Sequence, residues 1–171
     1  MNKTELEKRQ KKNIGYWLWA TFNHENEIAI NKLKSEINLN GPEFKPHLTI
    51  CGPTNFDNIQ SKYKTILNYF NENEIILEID NIICSNSFYK AIYLNVTSNI
   101  KLNNLNKFAE KTLCIDNYDF CPHISLHYGK IAREKKHLIT NNLKPPLKFI
   151  KLDKLNIVFV DEKNEKWELI N

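Results

Sequence analysis

Along Tyr16-Trp17-Leu18-Trp19-Ala20-Thr21-Phe22 the chain is apolar almost throughout and rich in strand-forming aromatics. In an extended chain successive side chains point to opposite faces. Tyr16, Leu18 and Ala20 therefore share one face of a first strand, and Trp17, Trp19 and Thr21 the other. The period then lengthens. Between Glu27 and Leu39 apolar residues fall at 28, 29, 30, 33, 37 and 39, which predicts a helix with Ile30, Leu33 and Ile37 inward, broken by Gly41-Pro42. A short alternating strand through His47 follows and is ended by Gly52-Pro53. A second helix is expected over Asp57–Phe70, with Ile59, Tyr63, Ile66, Leu67 and Phe70 at helical spacing.

Glu74–Ser85 and Phe88–Thr97 read as strands joined by a polar turn at Asn86-Ser87. Ile100–Thr112 reads as a helix with Leu102, Leu105, Phe108 and Ala109 inward. A second alternating strand runs to about Gly129. Arg133–Asn142 is a short helix stopped by Pro145-Pro146, and Lys148–Val160 and Lys166–Ile170 are strands around a turn at Asp161–Glu165. The order β-α-β-α-β-β-α-β-α-β-β, with many antiparallel joins, places the fold in the α+β class. Residues 1–13 read as a polar tail and 14–171 as one domain.

Two of these strands carry the same text. Phe44-Lys45-Pro46-His47-Leu48-Thr49-Ile50 recurs as Phe120-Cys121-Pro122-His123-Ile124-Ser125-Leu126. Both read aromatic, any residue, Pro, His, aliphatic, Thr or Ser, aliphatic. Each half of the chain holds one copy, which predicts a two-fold repeat of about 80 residues. A proline cannot donate to a sheet ladder, so Pro46 and Pro122 suit strand starts. Alternation then sends Leu48, Ile50, Ile124 and Leu126 inward. His47 and Thr49, and likewise His123 and Ser125, share the opposite face.

Composition narrows the class. Of 171 residues, 42% are hydrophobic and 26% charged, ordinary values for a soluble domain. A net charge of +4 favours small anionic ligands but is not the dense basic footprint of a duplex binder. No apolar run reaches the roughly 20 residues of a membrane span, and the N-terminus resembles neither a secretory signal nor a mitochondrial presequence. Cytoplasmic localisation and a monomer are therefore expected. Cys51, Cys84, Cys114 and Cys121 form no CxxC pair and read as free, buried thiols.

The doubled His-x-Thr/Ser signature resembles the 2H phosphoesterase superfamily, and within it the cyclic phosphodiesterase branch. The resemblance extends to Tyr16–Ala20, Gly41–His47, Phe88–Leu94, Pro122–Gly129 and the closing Leu152–Leu169 hairpin with Trp167. It implies two similar α+β lobes with antiparallel sheets facing a central cleft. It also implies that His47 and His123 are the catalytic pair and that Thr49 and Ser125 bind the substrate phosphate. Trp19 and Tyr128 match positions near the nucleotide. His127 stands where the family usually has an apolar residue, and simple alternation would turn it toward the same cleft as His123 and Ser125.

The chemistry fits these residue types. Opening a cyclic phosphate needs a base for the attacking water and an acid for the departing sugar oxygen. Two imidazoles with ordinary pKa values near 6.5 supply both, and hydroxyls two residues on can hold the phosphate oxygens. The expected partner is a small nucleotide, with RNA ends as a further class; no metal or other cofactor is needed. Two rival readings use the same residues. One is a zinc site built from His47 with Cys51, or from Cys121 with His123 and His127, although CxxC and HExxH spacings are missing. The other is a module that grips RNA ends without turnover.

Overall fold

The computed structural model describes residues 14–97, 99–116, 118–162 and 166–170. In chain order these form β1 (Ile14–Phe22), α1 (His24–Ile37), β2 (Leu48–Thr54), α2 (Phe56–Glu72), β3 (Ile76–Cys84) and β4 (Ile92–Val96). They continue as α3 (Ile100–Leu113), β5 (His123–His127), α4 (Arg133–Asn142), β6 (Phe149–Asp161) and β7 (Lys166–Leu169). This is the expected α+β order. The polar tail over 1–13 and positions 163–165 of the last turn lie outside the described residues.

The strands are joined in the order β2-β1-β6-β3-β4-β5, with β7 added to β6, and every pairing is antiparallel. Two lobes emerge from that path. β1, β2 and β7 surround the C-terminal part of β6, which pairs with β1 from Leu152 to Asp161. Its first residues, Phe149–Lys151, pair instead with β3, which leads to β4 and β5. The thirteen-residue β6 is thus the beam shared by both lobes. β2 and β5 end opposite sides of the path and nevertheless touch, so the sheet curls until the two histidine strands meet.

One apolar core runs through both lobes, from Leu18, Ile30, Leu48 and Ile50 to Leu94, Leu105 and Ile124. On α1 the inward residues are Ile30, Leu33 and Ile37, as the periodicity predicts. On α3 they are Leu102, Leu105 and Ala109, joined by the buried Asn106. Asn106 donates to the carbonyl of Ile50 at 2.9 Å and to Glu110 at 3.0 Å, fastening α3 to the first histidine strand.

Three boundaries differ from expectation, each for a local reason. α1 starts at His24, because the Asn23 side chain accepts from the amide of Asn26 at 2.9 Å and caps it. β2 runs on through Gly52-Pro53 to Thr54. It is an outer strand, where a proline removes no ladder bond, and Gly52 adopts φ +150 with a Trp17 ring carbon 2.6 Å from where a Cβ would stand. Phe88–Lys90 forms a single 3₁₀ turn rather than the start of a strand. Ser85 closes that turn, its hydroxyl donating to the Lys90 carbonyl at 2.5 Å and accepting from the Ser87 amide at 3.1 Å. The turn also docks on the second histidine strand through Gly129 N–H to the Phe88 carbonyl at 2.9 Å.

Candidate active site

One local device holds both histidines. Nδ1 of His47 is 2.7 Å from the carbonyl oxygen of Lys45, and Nδ1 of His123 is 2.7 Å from that of Cys121. A carbonyl only accepts, so Nδ1 carries the hydrogen in each ring, and in the neutral form Nε2 keeps its free lone pair. The acceptor is in both cases the residue before the proline. Proline keeps that residue extended and has no N–H of its own. The Pro-His pair in the sequence is therefore what sets the tautomer.

The strands then align an aromatic residue with each hydroxyl. Trp19 pairs with Thr49 across β1 and β2, and Tyr93 pairs with Ser125 across β4 and β5. The Trp19 ring stacks on His47 with centroids 3.5 Å apart, while Tyr93 meets His123 edge-on at 5.4 Å. Phe44 stacks on Tyr128 at 3.7 Å and touches His47 by its edge at 6.2 Å.

A cavity of about 180 Å³ gathers His47, Thr49, His123, Ser125, Trp19 and Tyr128, together with Trp17, Tyr89, Tyr118, Val160, Glu162 and Trp167. Six of the seven residues singled out in the sequence thus line one space. A groove of about 810 Å³ adjoins it and shares Trp19 and Trp167. Thr49 is partly exposed, but Ser125 is buried and donates to the Tyr89 carbonyl at 2.9 Å. The two hydroxyls are equivalent in sequence but not in surroundings.

His127 is the seventh, and it departs. Ile92 pairs with His127 while Tyr93 pairs with Ser125, so Leu126 is an extra residue in β5. Such a bulge breaks the alternation that would set His127 beside His123 and Ser125. His127 instead lines a different pocket of about 540 Å³ with Lys34, Gly41 and Phe44. Its ring is so close to Gly41 and Gly129 that Cβ atoms there would lie 2.8 Å from Cε1 and 3.1 Å from Nε2.

Burial dominates the electrostatics. It drives the pKa of His47 from 6.5 down to about 3; the Lys45 carbonyl opposes the shift, and the charges of His123 and Lys34 add to it. His123 is also lowered by burial, with the Cys121 carbonyl opposing and Lys90 adding. Burial thereby favours the neutral form of both imidazoles. Burial raises the Tyr128 phenol, and a hydrogen bond with Ser125 partly offsets this. Lys34 is held down to about 8, again by burial, with its ammonium donating to the Phe44 carbonyl and lying 3.7 Å over the Phe44 ring.

The cysteines are less uniform than expected. Cys51 is fully buried, Cys84 half-buried, and Cys114 and Cys121 exposed. Cys51 faces the core, not the cavity, and burial pushes its thiol up to about 12, far from the thiolate a metal ligand needs. Among the described residues no three His, Cys, Asp or Glu side chains are grouped to hold a metal ion, and no helix is long and apolar enough to cross a membrane.

Tyr93, Tyr89, Tyr118, Trp17 and Glu162 were not singled out in the sequence. Trp17 had a usable signal, since alternation already put it on the strand face of Trp19. Tyr93 stands opposite Ser125 as Trp19 stands opposite Thr49, a match that the strand register reveals. Tyr89, Tyr118 and Glu162 reach the cavity through tertiary packing and left no such mark.

A curled sheet whose terminal strands each bring one Pro-His-x-Thr/Ser segment to a shared cavity defines a 2H phosphoesterase. The chain belongs to the cyclic phosphodiesterase-like protein family, whose model matches residues 17–170. Among solved structures it is similar to Escherichia coli LigT in apo form, with a TM-score of 0.68 at 11% identity over 92% of this chain and 94% of that one. It is similar to LigT complexed with 3′-AMP at TM-score 0.66 and 10% identity, over 92% and 94% of the two chains. A further structure described as a phosphoesterase matches at 0.66 with 11% identity, over 91% and 94%. No curated protein sequence matches the chain.

Proposed function

We propose that this protein opens a ribose cyclic phosphate, either a nucleoside 2′,3′-cyclic phosphate or ADP-ribose 1″,2″-cyclic phosphate, to a phosphomonoester by paired-histidine acid–base catalysis. The observation that carries this reading is the duplicated geometry. Two imidazoles in one cavity are each pinned at Nδ1 by a carbonyl, which leaves each Nε2 for proton transfer. One Nε2 takes the proton of the attacking water. The other, protonated, gives its proton to the departing sugar oxygen, and the phosphorus inverts between them. Thr49 and Ser125 hold the non-bridging oxygens, and Trp19 and Tyr128 flank the nucleotide. No step calls for a metal ion. That LigT structures exist with 3′-AMP, phosphate, NADP+ and ATP supports a nucleotide-sized substrate.

The test is a panel of cyclic phosphates followed by phosphorus NMR, which identifies the ester bond that opens. Turnover is expected to survive EDTA and to fall by roughly 10²–10⁴-fold in both His47→Ala and His123→Ala, the usual worth of a general acid or base. Near-normal turnover in either variant would overturn the paired mechanism. A second reading, cleavage of 2′,5′-linked or cyclic signalling oligonucleotides, draws on the groove of about 810 Å³ beside the cavity. Faster turnover of such oligonucleotides than of any mononucleotide would favour it.

A further inference from the structure

Among the described residues, two side chains of the cavity hold buried polar atoms with no hydrogen-bond partner: the indole nitrogen of Trp17 and the Oε2 oxygen of Glu162. An unsatisfied buried polar group costs stability and is seldom left without a reason. Here the two orphans are of opposite kinds, one a donor and one an acceptor.

Glu162 follows directly on β6. Val160 and Glu162 line the cavity, and Val158 lines the adjoining groove. The Tyr89 hydroxyl donates to the Glu162 backbone carbonyl at 3.1 Å and secures this end of the strand. The Glu162 charge is felt by the phenol of Tyr128, which is hydrogen-bonded with Ser125. The carboxyl therefore lies within electrostatic reach of the Tyr128 phenol, whose partner Ser125 is one of the two proposed phosphate-binding hydroxyls. Among the described residues no cation is paired with it, and burial alone pushes it from 4.5 up to about 7.

A carboxylate repels a phosphate oxygen, so the group it addresses is not the phosphate. The cavity of about 180 Å³ has the volume of about six waters, below the range usual for a drug-sized ligand. It takes the reacting sugar and its phosphate, and the rest of a nucleotide extends into the groove behind Trp19 and Trp167. What a ribose offers a lone carboxylate is a hydroxyl. The ring substrates of the proposed reaction differ at this point. A 1″,2″-cyclic phosphate keeps a free hydroxyl on the carbon next to the ring. In a nucleoside 2′,3′-cyclic phosphate the flanking carbons carry the base and the furanose oxygen, and no free hydroxyl stands beside the phosphate.

We infer that Glu162 is a specificity-determining residue that accepts a hydrogen bond from a free sugar hydroxyl beside the phosphate, and so selects ribose cyclic phosphates that retain one. The inference rests on the reading of the cavity as a ribose cyclic phosphate site. Trp17 supplies the complementary donor for a sugar or phosphate oxygen.

Two measurements separate the inference from that reading. The first is binding, by titration calorimetry, of 3′-AMP and 2′-deoxyadenosine 3′-monophosphate, which differ only in a hydroxyl next to the phosphate. Wild type is expected to prefer 3′-AMP by roughly ten- to a hundredfold, the worth of a hydrogen bond to a charged group. Glu162→Ala is expected to erase the preference, and the isosteric Glu162→Gln to reduce it. The second is the ratio of kcat/KM for a 1″,2″-cyclic and a 2′,3′-cyclic phosphate, expected to fall by the same factor in Glu162→Ala. Absence of a hydroxyl preference in wild type, or its survival in Glu162→Ala, overturns the role of Glu162 even if both rings are opened. Hydroxyl-dependent binding without turnover of either ring would instead overturn the catalytic reading and leave Glu162 in place.

Discussion

Trp19 lies flat on His47, ring centroids 3.5 Å apart and planes 4° from parallel, whereas His123 receives only the edge of Tyr93. The indole thus covers one face of the first imidazole and, on its own strand, also lines the groove beside the cavity. On the proposed reading it both fixes the plane of His47 and offers a surface to the substrate. Trp19→Ala is expected to cost about 3–5 kcal/mol of stability, as large-to-small changes of buried aromatics do. Trp19→Phe keeps a ring and is the better probe of function. Its kcat should fall roughly ten- to a hundredfold if loss of the stack moves the imidazole by about 1 Å. Unchanged kcat in that variant would show that the stack does not orient His47.

The depressed histidines set the response to acid. Between pH 6.5 and about 3 the unfolded chain binds a proton at residue 47 that the folded chain refuses. The stability this contributes is complete above 6.5 and is lost as pH falls, with a slope of about 1.4 kcal/mol per pH unit. His123 adds in the same direction. Glu162, raised to about 7, opposes it between 4.5 and 7, because its unfolded form gives up a proton that the folded form keeps. The difference between wild type and His47→Phe isolates the first contribution. In urea unfolding from pH 6.5 to 4.5, the wild-type slope is expected to exceed that of the variant by about 1.4 kcal/mol per unit.

Activity should carry the same signature. The profile of kcat/KM reports the empty enzyme and that of kcat the bound one. With both imidazoles below 6.5, the kcat/KM optimum is expected on the acid side of neutrality. A bound phosphate stabilises imidazolium and raises both groups, so the kcat optimum should lie at higher pH. Coincident optima in steady-state assays would mean that the phosphate does not sit between the rings.

The two His-x-Thr/Ser copies were legible because each compresses its physics into a few consecutive residues. Proline sets the carbonyl, histidine answers it, and alternation puts the hydroxyl on the same face. The same alternation misled at His127, because one extra residue at Leu126 reverses the face and nothing local marks a bulge. It also gave no reason to stop at Glu162, which reads as part of a polar turn until β6 is known to floor the cavity. Helix faces were readable from spacing, since burial at 30, 33 and 37 follows the helical period. The start of α1 was not, because it depends on a cap made by Asn23, outside the apolar pattern.

The anchoring of α3 on the first histidine strand has its own test in Asn106. Its amide is buried and bridges Ile50, next to Thr49, to Glu110 on its own helix. Asn106→Leu leaves the Ile50 carbonyl without that donor, and a buried group so orphaned costs about 1–3 kcal/mol. Urea unfolding should show a loss of this size, with activity reduced less than in Trp19→Phe because the indole stack on His47 remains. A neutral Asn106→Leu would mean that apolar packing alone holds α3 on β2.

Gly41 packs against His127 in the pocket of about 540 Å³. A Cβ there would lie 2.7 Å from the carbonyl oxygen of Tyr128 and 2.8 Å from Cε1 of His127. The imidazole can turn aside, but the backbone oxygen cannot, so the segment from Gly41 to Pro46 must move in Gly41→Ala. That segment carries Phe44, which stacks on Tyr128, and Lys45, whose carbonyl pins His47. The expected result is a loss of about 1–3 kcal/mol, typical of overpacking, together with a lower kcat. Adding His127→Ala removes the contact with the ring and leaves the contact with the carbonyl. The double variant should therefore recover only part of the stability and little of the turnover. Full recovery would locate the strain in the imidazole and show that the loop does not need to shift.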